Sequence, residues 1–92
     1  MVEEPYNFIL FISGMSVKSS AAIENIQKIC DQHFKKKCKL KIIDISLEKE
    51  MAAKYQIFAI PTLLKTSPKP VRRILGDLSD EEKVLKILQI IQ

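Results

Sequence analysis

The sequence predicts a single α/β domain with the element order β-α-β-α-β-β-α. Three observations carry that prediction. An apolar, β-branched and aromatic run from Tyr6 to Ile12 is followed, after Ser13-Gly14, by apolar residues at helical spacing. Ile60-Pro61-Thr62 stands just before a second short apolar run, a placement suited to a cis X-Pro bond, which is uncommon in folded chains and marks a tight local geometry. Ser79-Asp80-Glu81-Glu82 opens a last amphipathic segment with the pattern of a capping box.

Taken in order, residues 6–12 read as a buried central strand, because the run has no polar alternation after Asn7. Ser13-Gly14 ends it. Ala22, Ile23, Ile26, Ile29, Cys30 and Phe34 then fall on one helical face, with Ser16 available as the N-cap, so residues 17–34 are expected to be helix. Leu40 to Ile45 reads as a second strand, with Lys39 and Lys41 at its polar margin. Leu47 to Tyr55 is rich in Glu, Lys, Met and Ala and reads as a short helix. Thr62 to Lys65 is a third strand. Ser67-Pro68-Lys69-Pro70 is a turn, since proline presets its own φ and cannot donate to a ladder. Val71 to Leu75 is a fourth strand, ended by Gly76-Asp77. In the final segment Val84, Leu85, Leu88 and Ile91 form an apolar stripe, and Asp80, Glu81 and Glu82 suit the positive end of a helix dipole, so residues 79–91 are expected to be helix. The first two strands, joined by a helix, should be parallel, and the last two should form a hairpin. That order and the placement of Pro61 resemble the thioredoxin-like topology.

Length and composition bound the function. A chain of 92 residues holds one small domain, and a hydrophobic fraction of 47% is enough for a core and too high for disorder. A domain of this size is modestly stable alone, so self-association or partner binding is expected. The longest apolar run, Phe8 to Ile12, is too short to cross a bilayer or to form a signal-peptide core, and Met1-Val2-Glu3-Glu4 is acidic where a secretory leader is basic; no membrane association and a cytoplasmic location are expected. The net charge of +4 fits an acidic protein partner as well as nucleic acid. Basic and aromatic residues are not interleaved as in single-strand binders, and no nucleic-acid partner is expected.

The chemistry-bearing residues point away from catalysis. Thioredoxin-like oxidoreductases place a Cys-x-x-Cys pair beside the cis-proline; here the loop after the first strand reads Ser13-Gly14-Met15-Ser16-Val17-Lys18. A thiol enzyme needs an activated thiolate at a helix N-terminus. Cys30 instead lies on the apolar face of the helix and reads as a small core residue, and Cys38 begins a strand. At an eight-residue offset the two are expected to remain separate, reduced thiols. Cys30, His33 and Cys38 invite a zinc reading, but Cys30 belongs to the core, and His33 reads as a solvated helix-end residue. Glu48, Glu50, Asp80, Glu81 and Glu82 read as solvated or capping residues. Asp44, inside Ile42-Ile43-Asp44-Ile45, needs a partner: it is either structural and paired with a lysine, or it shapes a binding edge. Only Gly14 and Gly76 are present, so no phosphate-cradling glycine loop exists, and no cofactor is expected. Lys35-Lys36-Lys37 with Lys39 and Lys41 forms a solvated basic corner. Arg72 and Arg73, adjacent on a strand, must face opposite sides of the sheet.

The block Pro70-Val71-Arg72-Arg73-Ile74-Leu75-Gly76-Asp77-Leu78-Ser79-Asp80, followed by Glu82-Lys83-Val84-Leu85, resembles the C-terminal signature of the KaiB circadian-clock family. Leu40-Lys41-Ile42-Ile43-Asp44-Ile45 and Ile60-Pro61-Thr62-Leu63 also match. The resemblance implies a non-catalytic regulator that binds the N-terminal ring of a KaiC-type ATPase, in clock-like or stress-adaptation signalling; the alternative is a thioredoxin-like adaptor for another partner, such as a histidine kinase. It implies two folds, a thioredoxin-like form whose C-terminal segment is helix and a self-associated ground state (dimer or tetramer, order βαββααβ). Arg72 and Arg73 are then expected to contact the partner, with Lys54, Ile57 and Ala59 presenting a docking edge that leads to Pro61. Pro61 and Pro70 are assigned to the structural and switching set. Where the family has Gly and Asp near the C-terminus this chain has Ile87 and Gln89, both better helix residues, which favours the thioredoxin-like form. Lys39 replaces a family alanine used to capture KaiA, and Ala21 replaces a common arginine; KaiA binding is not expected.

Overall fold

A computed structural model describes residues 5–34 and 38–88. Its elements are β1 (Tyr6–Ile12), α1 (Val17–His33), β2 (Cys38–Asp44), α2 (Lys49–Lys54), β3 (Thr62–Ser67), β4 (Arg72–Leu75) and α3 (Glu81–Ile87). The sheet order is β2-β1-β3-β4, with β1 and β2 parallel and β1–β3 and β3–β4 antiparallel. This is the thioredoxin-like arrangement that the sequence predicts, with the Ile60–Pro61 bond cis.

Side-chain alternation divides the sheet into two unequal faces. On one, Phe8, Leu10 and Ile12 of β1, Leu63 of β3 and Ile74 of β4 pack against Ala22, Ile26, Ile29 and Cys30 of α1 and Val84, Leu85 and Leu88 at α3. On the other, Phe11, Ile43, Leu64 and Ile57 form a small cluster, with Met51 and Ala52 of α2 and Tyr55 just after it packed against it. α2 has six residues and none is fully buried, so it covers only part of that face.

The helix starts follow local hydrogen bonding. Ser16 caps α1 as expected, its Oγ accepting from Ser19 N at 3.1 Å. At α3 the cap is Asp80 rather than Ser79: Asp80 Oδ1 accepts from Lys83 N at 3.1 Å. Ser79 is displaced because its own amide donates to Asp77 Oδ1 at 3.0 Å, which ends the preceding loop in an Asx turn. That loop carries Gly76 at φ 105°, which favours glycine, and Leu78 at φ 64° with its side chain buried in the larger core. Asn25 of α1 clamps it by donating to the Asp77 carbonyl at 2.8 Å. Ile87 lies in the last turn of α3, consistent with a helical C-terminal segment; Gln89 lies outside the described residues.

β2 starts at Cys38, two residues before the apolar run Leu40 to Ile45, and the partner of Cys38 corrects the reading of the two cysteines as separate thiols. In register with Tyr6, Cys38 stands 5.8 Å from Cys30 between Cα atoms, and the two form a disulfide. Cys30 is still a buried residue of the larger core.

Candidate functional site

The loops that follow β1 and β2, precede β3 and follow β4 converge at one end of the sheet. Asp44, at the end of β2, organises the first two. Its Oδ1 accepts from Gly14 N at 3.1 Å, Ser46 N at 2.9 Å and Ser46 Oγ at 2.6 Å. The partner is thus a turn and a loop, not a lysine. These bonds, the Ser46 hydroxyl foremost and the Gly14 amide next, hold the Asp44 carboxyl below its ordinary pKa. Gly14 sits at φ 65°, and a Cβ added there would meet nothing within 4 Å, so glycine is needed for conformation and not for clearance. On the other side, Gly76 N donates to the Pro61 carbonyl at 3.0 Å and Thr62 Oγ1 to the Ala59 carbonyl at 2.7 Å, which fixes the backbone around Pro61. Asp77 is held below its ordinary pKa by Ser79, with a smaller contribution from Lys18 at the start of α1.

The end of α2 decides what this corner exposes. Gln56, at φ 56°, takes the left-handed position that ends many helices; its amide reaches the Ala53 carbonyl at 3.2 Å and the Ile57 amide reaches the Ala52 carbonyl at 2.8 Å. This is the pattern of a Schellman motif, in which the residue after the left-handed one folds back onto the helix. Ile57 is that residue. It was expected on the docking edge, but it is buried in the small core, and Phe58 is turned outward at 93% exposure.

Arg73 completes the corner. Its Nη2 donates to the Tyr55 carbonyl at 2.6 Å and its Nη1 to the Gln56 carbonyl at 3.0 Å, so one guanidinium satisfies carbonyls that the helix end leaves free. Arg73 thus ties β4 to the end of α2, and Pro61 is tied to the loop after β4 through Gly76; Lys54 and Ala59 are exposed, and the Lys54 ammonium lies over the Tyr55 ring. Arg72 faces the other side, half-buried and in register with Lys65. Lys65 is buried, with its ammonium over the Tyr6 ring; burial and the neighbouring Arg72 charge lower its pKa. Pro70 is exposed in the β3–β4 turn, away from this corner.

Four exposed apolar side chains at the converging end were not singled out in the sequence: Met15, Val17, Leu47 and Phe58. Their signal was weak. Val17 and Leu47 fall off the buried stripes, and Phe58 differs from Ile57 only by the turn that separates them. Leu75 is also exposed, on the same face of β4 as Arg73. His33 Nε2 lies 3.6 Å from Glu81 Oε1, linking α1 to α3, and among the described residues no group of three His, Cys, Asp or Glu side chains is placed to hold a metal ion. Among the same residues no helix is long and apolar enough to cross a membrane.

The KaiB domain model matches residues 9–90. The chain belongs to the KaiB family. It is 40% identical over 85 residues to the circadian clock oscillator protein KaiB of Prochlorococcus marinus subsp. pastoris, covering 92% of this chain and 79% of that protein. To the circadian clock protein KaiB3 of a Synechocystis species it is 42% identical over 82 residues, covering 89% and 80%. Among solved structures, the N-terminal domain of Synechococcus elongatus SasA has a TM-score of 0.78 at 18% identity, covering all of this chain and 90% of that one. Chloroplastic thioredoxin z has a TM-score of 0.76 at 14% identity, covering 96% and 80%. The KaiB relatives are named as clock proteins, and the two structural likenesses establish the shared fold.

Proposed function

We propose that this KaiB-family chain is a non-catalytic regulator in the cytoplasm that docks on the N-terminal ring of a KaiC-type ATPase. The observation that carries the reading is four exposed apolar side chains, Met15, Val17, Leu47 and Phe58, on the loops at the end of the sheet where β1 finishes, on a chain with no cysteine in the loop after β1. Such a group, edged by charge, suits a protein surface better than a small substrate. Phe58 is the central anchor, with Lys54, Ala59 and Arg73 around it. Ile57 supports the anchor from below, and Pro61 fixes the approach. Arg72, on the opposite face, is peripheral to this contact.

The test is ATP-dependent co-elution with a KaiC hexamer at micromolar concentration. Wild type co-elutes, Phe58→Ala weakens capture about ten-fold or more, and Arg72→Ala changes it little. Failure of the wild-type chain to co-elute overturns the reading and favours an adaptor for another partner.

A further inference from the structure

We propose that Cys30 and Cys38 are a reversible dithiol–disulfide couple, a modification site that exchanges with a low-molecular-weight thiol of the glutathione class. The site lies at the opposite end of the sheet from the loop after β1, since Cys38 pairs with Tyr6, the first residue of that strand. It is independent of the docking surface proposed above.

Three observations support it. The fold brings two cysteines eight residues apart in sequence to a Cα separation of 5.8 Å, inside the range a disulfide spans. The two cysteines are unequally exposed: Cys30 is buried in the last turns of α1, whereas Cys38 is half-exposed at the start of an edge strand. An open groove of about 400 Å³ runs along the pair, lined by Gln27, Cys30, Asp31, Cys38, Leu40 and Ile42, so a small thiol can reach the Cys38 sulfur without unfolding the core. The carbonyl end of α1 disfavours an anion at Cys30, which leaves Cys38 as the attacking group.

The exchange balances without any further reactant. In the oxidising direction the Cys38 thiolate attacks one sulfur of the small disulfide RSSR; the S–S bond breaks, RS⁻ leaves and a Cys38–SR bond forms. Cys30 then gives up its proton and attacks the Cys38 sulfur, breaking Cys38–SR and forming Cys30–Cys38. Two electrons pass from the protein to RSSR, and the two protons from the cysteines end on two RSH molecules. Reduction is the reverse, with the incoming thiolate attacking Cys38 and Cys30 leaving.

The oxidised state ties the C-terminal end of α1 to the first residue of β2. Tyr6 and Phe34, whose rings lie 4.3 Å apart, pack at the same junction, and Tyr6 is the β1 residue paired with Cys38. Oxidation therefore tightens the outer strand where it begins, and reduction leaves that junction to aromatic packing and the strand ladder.

The experiment equilibrates the full chain in a series of reduced-to-oxidised glutathione ratios, quenches with N-ethylmaleimide and reads intact mass. The expected result is a shift from two maleimide labels to none as the buffer becomes oxidising, with any single-glutathione intermediate on Cys38. Two labels at every ratio, or two glutathiones at the oxidising end, overturns the couple. Cys30→Ser is expected to take glutathione on Cys38 at least about ten-fold faster than Cys38→Ser takes it on Cys30; the reverse order overturns the assigned direction of attack. Amide exchange on the wild-type chain supplies a readout that needs no variant: residues 39–42 should exchange severalfold more slowly when oxidised, and equal exchange in the two states overturns the tightening of β2.

Discussion

On one face of the sheet α1 and α3 bury a continuous apolar layer running from Phe8 to Ile12 and across to Leu63 and Ile74. On the other face a smaller buried cluster of Phe11, Ile43, Ile57 and Leu64 lies under α2, flanked by the partly buried Ile9, Ile45 and Ile60, and polar ties add to its placement: Arg73 to the Tyr55 and Gln56 carbonyls, and a helix end closed by Gln56 and Ile57. The difference teaches where stability and binding separate. Apolar burial is non-directional and holds the first face as a block. Directional hydrogen bonds hold the second, and its corner leaves Phe58 in solvent. The lightly covered face can therefore present a surface without the larger core being disturbed.

The sharpest way to break this comparison is to truncate each core. Ile26→Ala, at a fully buried position under α1, should lower the unfolding free energy by about 3–4 kcal/mol, against about 2 kcal/mol for Ile57→Ala at the thinner face. Urea titration of both variants decides it, and equal losses would mean that the faces contribute alike. Reduction of Cys30–Cys38 comes next, since the chain-entropy effect of so short a loop is about 2.5 kcal/mol. The urea midpoint with and without reductant reads that difference.

Arg73→Ala should cost about 1 kcal/mol, less than a buried charge-assisted bond because the side chain is exposed, and should speed amide exchange in α2 while leaving α1 unchanged. A uniform effect on both helices would show that Arg73 does not act as a local tie. Loss of partner capture in Arg73→Ala is consequently ambiguous, whereas Phe58→Ala should stay within about 0.5 kcal/mol of wild type in thermal unfolding. A large destabilisation by Phe58→Ala would remove it as a surface anchor.

The last comparison is with pH. Asp44 and Asp77 both have folded-state pKa values below the ordinary 3.8, so each binds its proton more weakly in the folded chain than in the unfolded one. Their contribution is fully present above that value and is lost as pH falls through the lowered folded-state pKa. Stability measured from neutral pH down to strong acid should drop in this window, and Asp44→Asn should flatten part of the drop. An unchanged acid limb in Asp44→Asn would show that its bonds to Gly14 and Ser46 do not favour the ionised form.

The same contrast explains how much was legible in advance. β1, α1 and the β3–β4 hairpin were readable because long periodic apolar runs and strong turn residues agree with one another. The start of β2 was less so: Cys38 and Lys39 precede the apolar run that begins at Leu40, and they join the ladder because Tyr6 and Asn7 are there to pair with them. The α3 cap moved from Ser79 to Asp80 because Asp77 took the Ser79 amide, a competition between neighbours that a spacing rule does not weigh. At the candidate site the sequence names Lys54 and Ala59, which are exposed, and Ile57, which is buried while its neighbour Phe58 is exposed. Both are apolar and adjacent, and only the left-handed turn at Gln56, a residue without glycine's signal, decides which one points inward.

What the sequence by itself determined was the element order, the family and the missing thiol chemistry in the loop after β1, because periodicity, turn residues and residue identity are local properties. Tertiary structure alone decided that Cys30 meets Cys38, that Arg73 caps α2 while Arg72 faces away, and that Met15, Val17, Leu47 and Phe58 share one end of the sheet. Each of these depends on strand register or on how two distant segments pack; a register shift of a single residue would turn Arg72 and Arg73 to the opposite faces of the sheet.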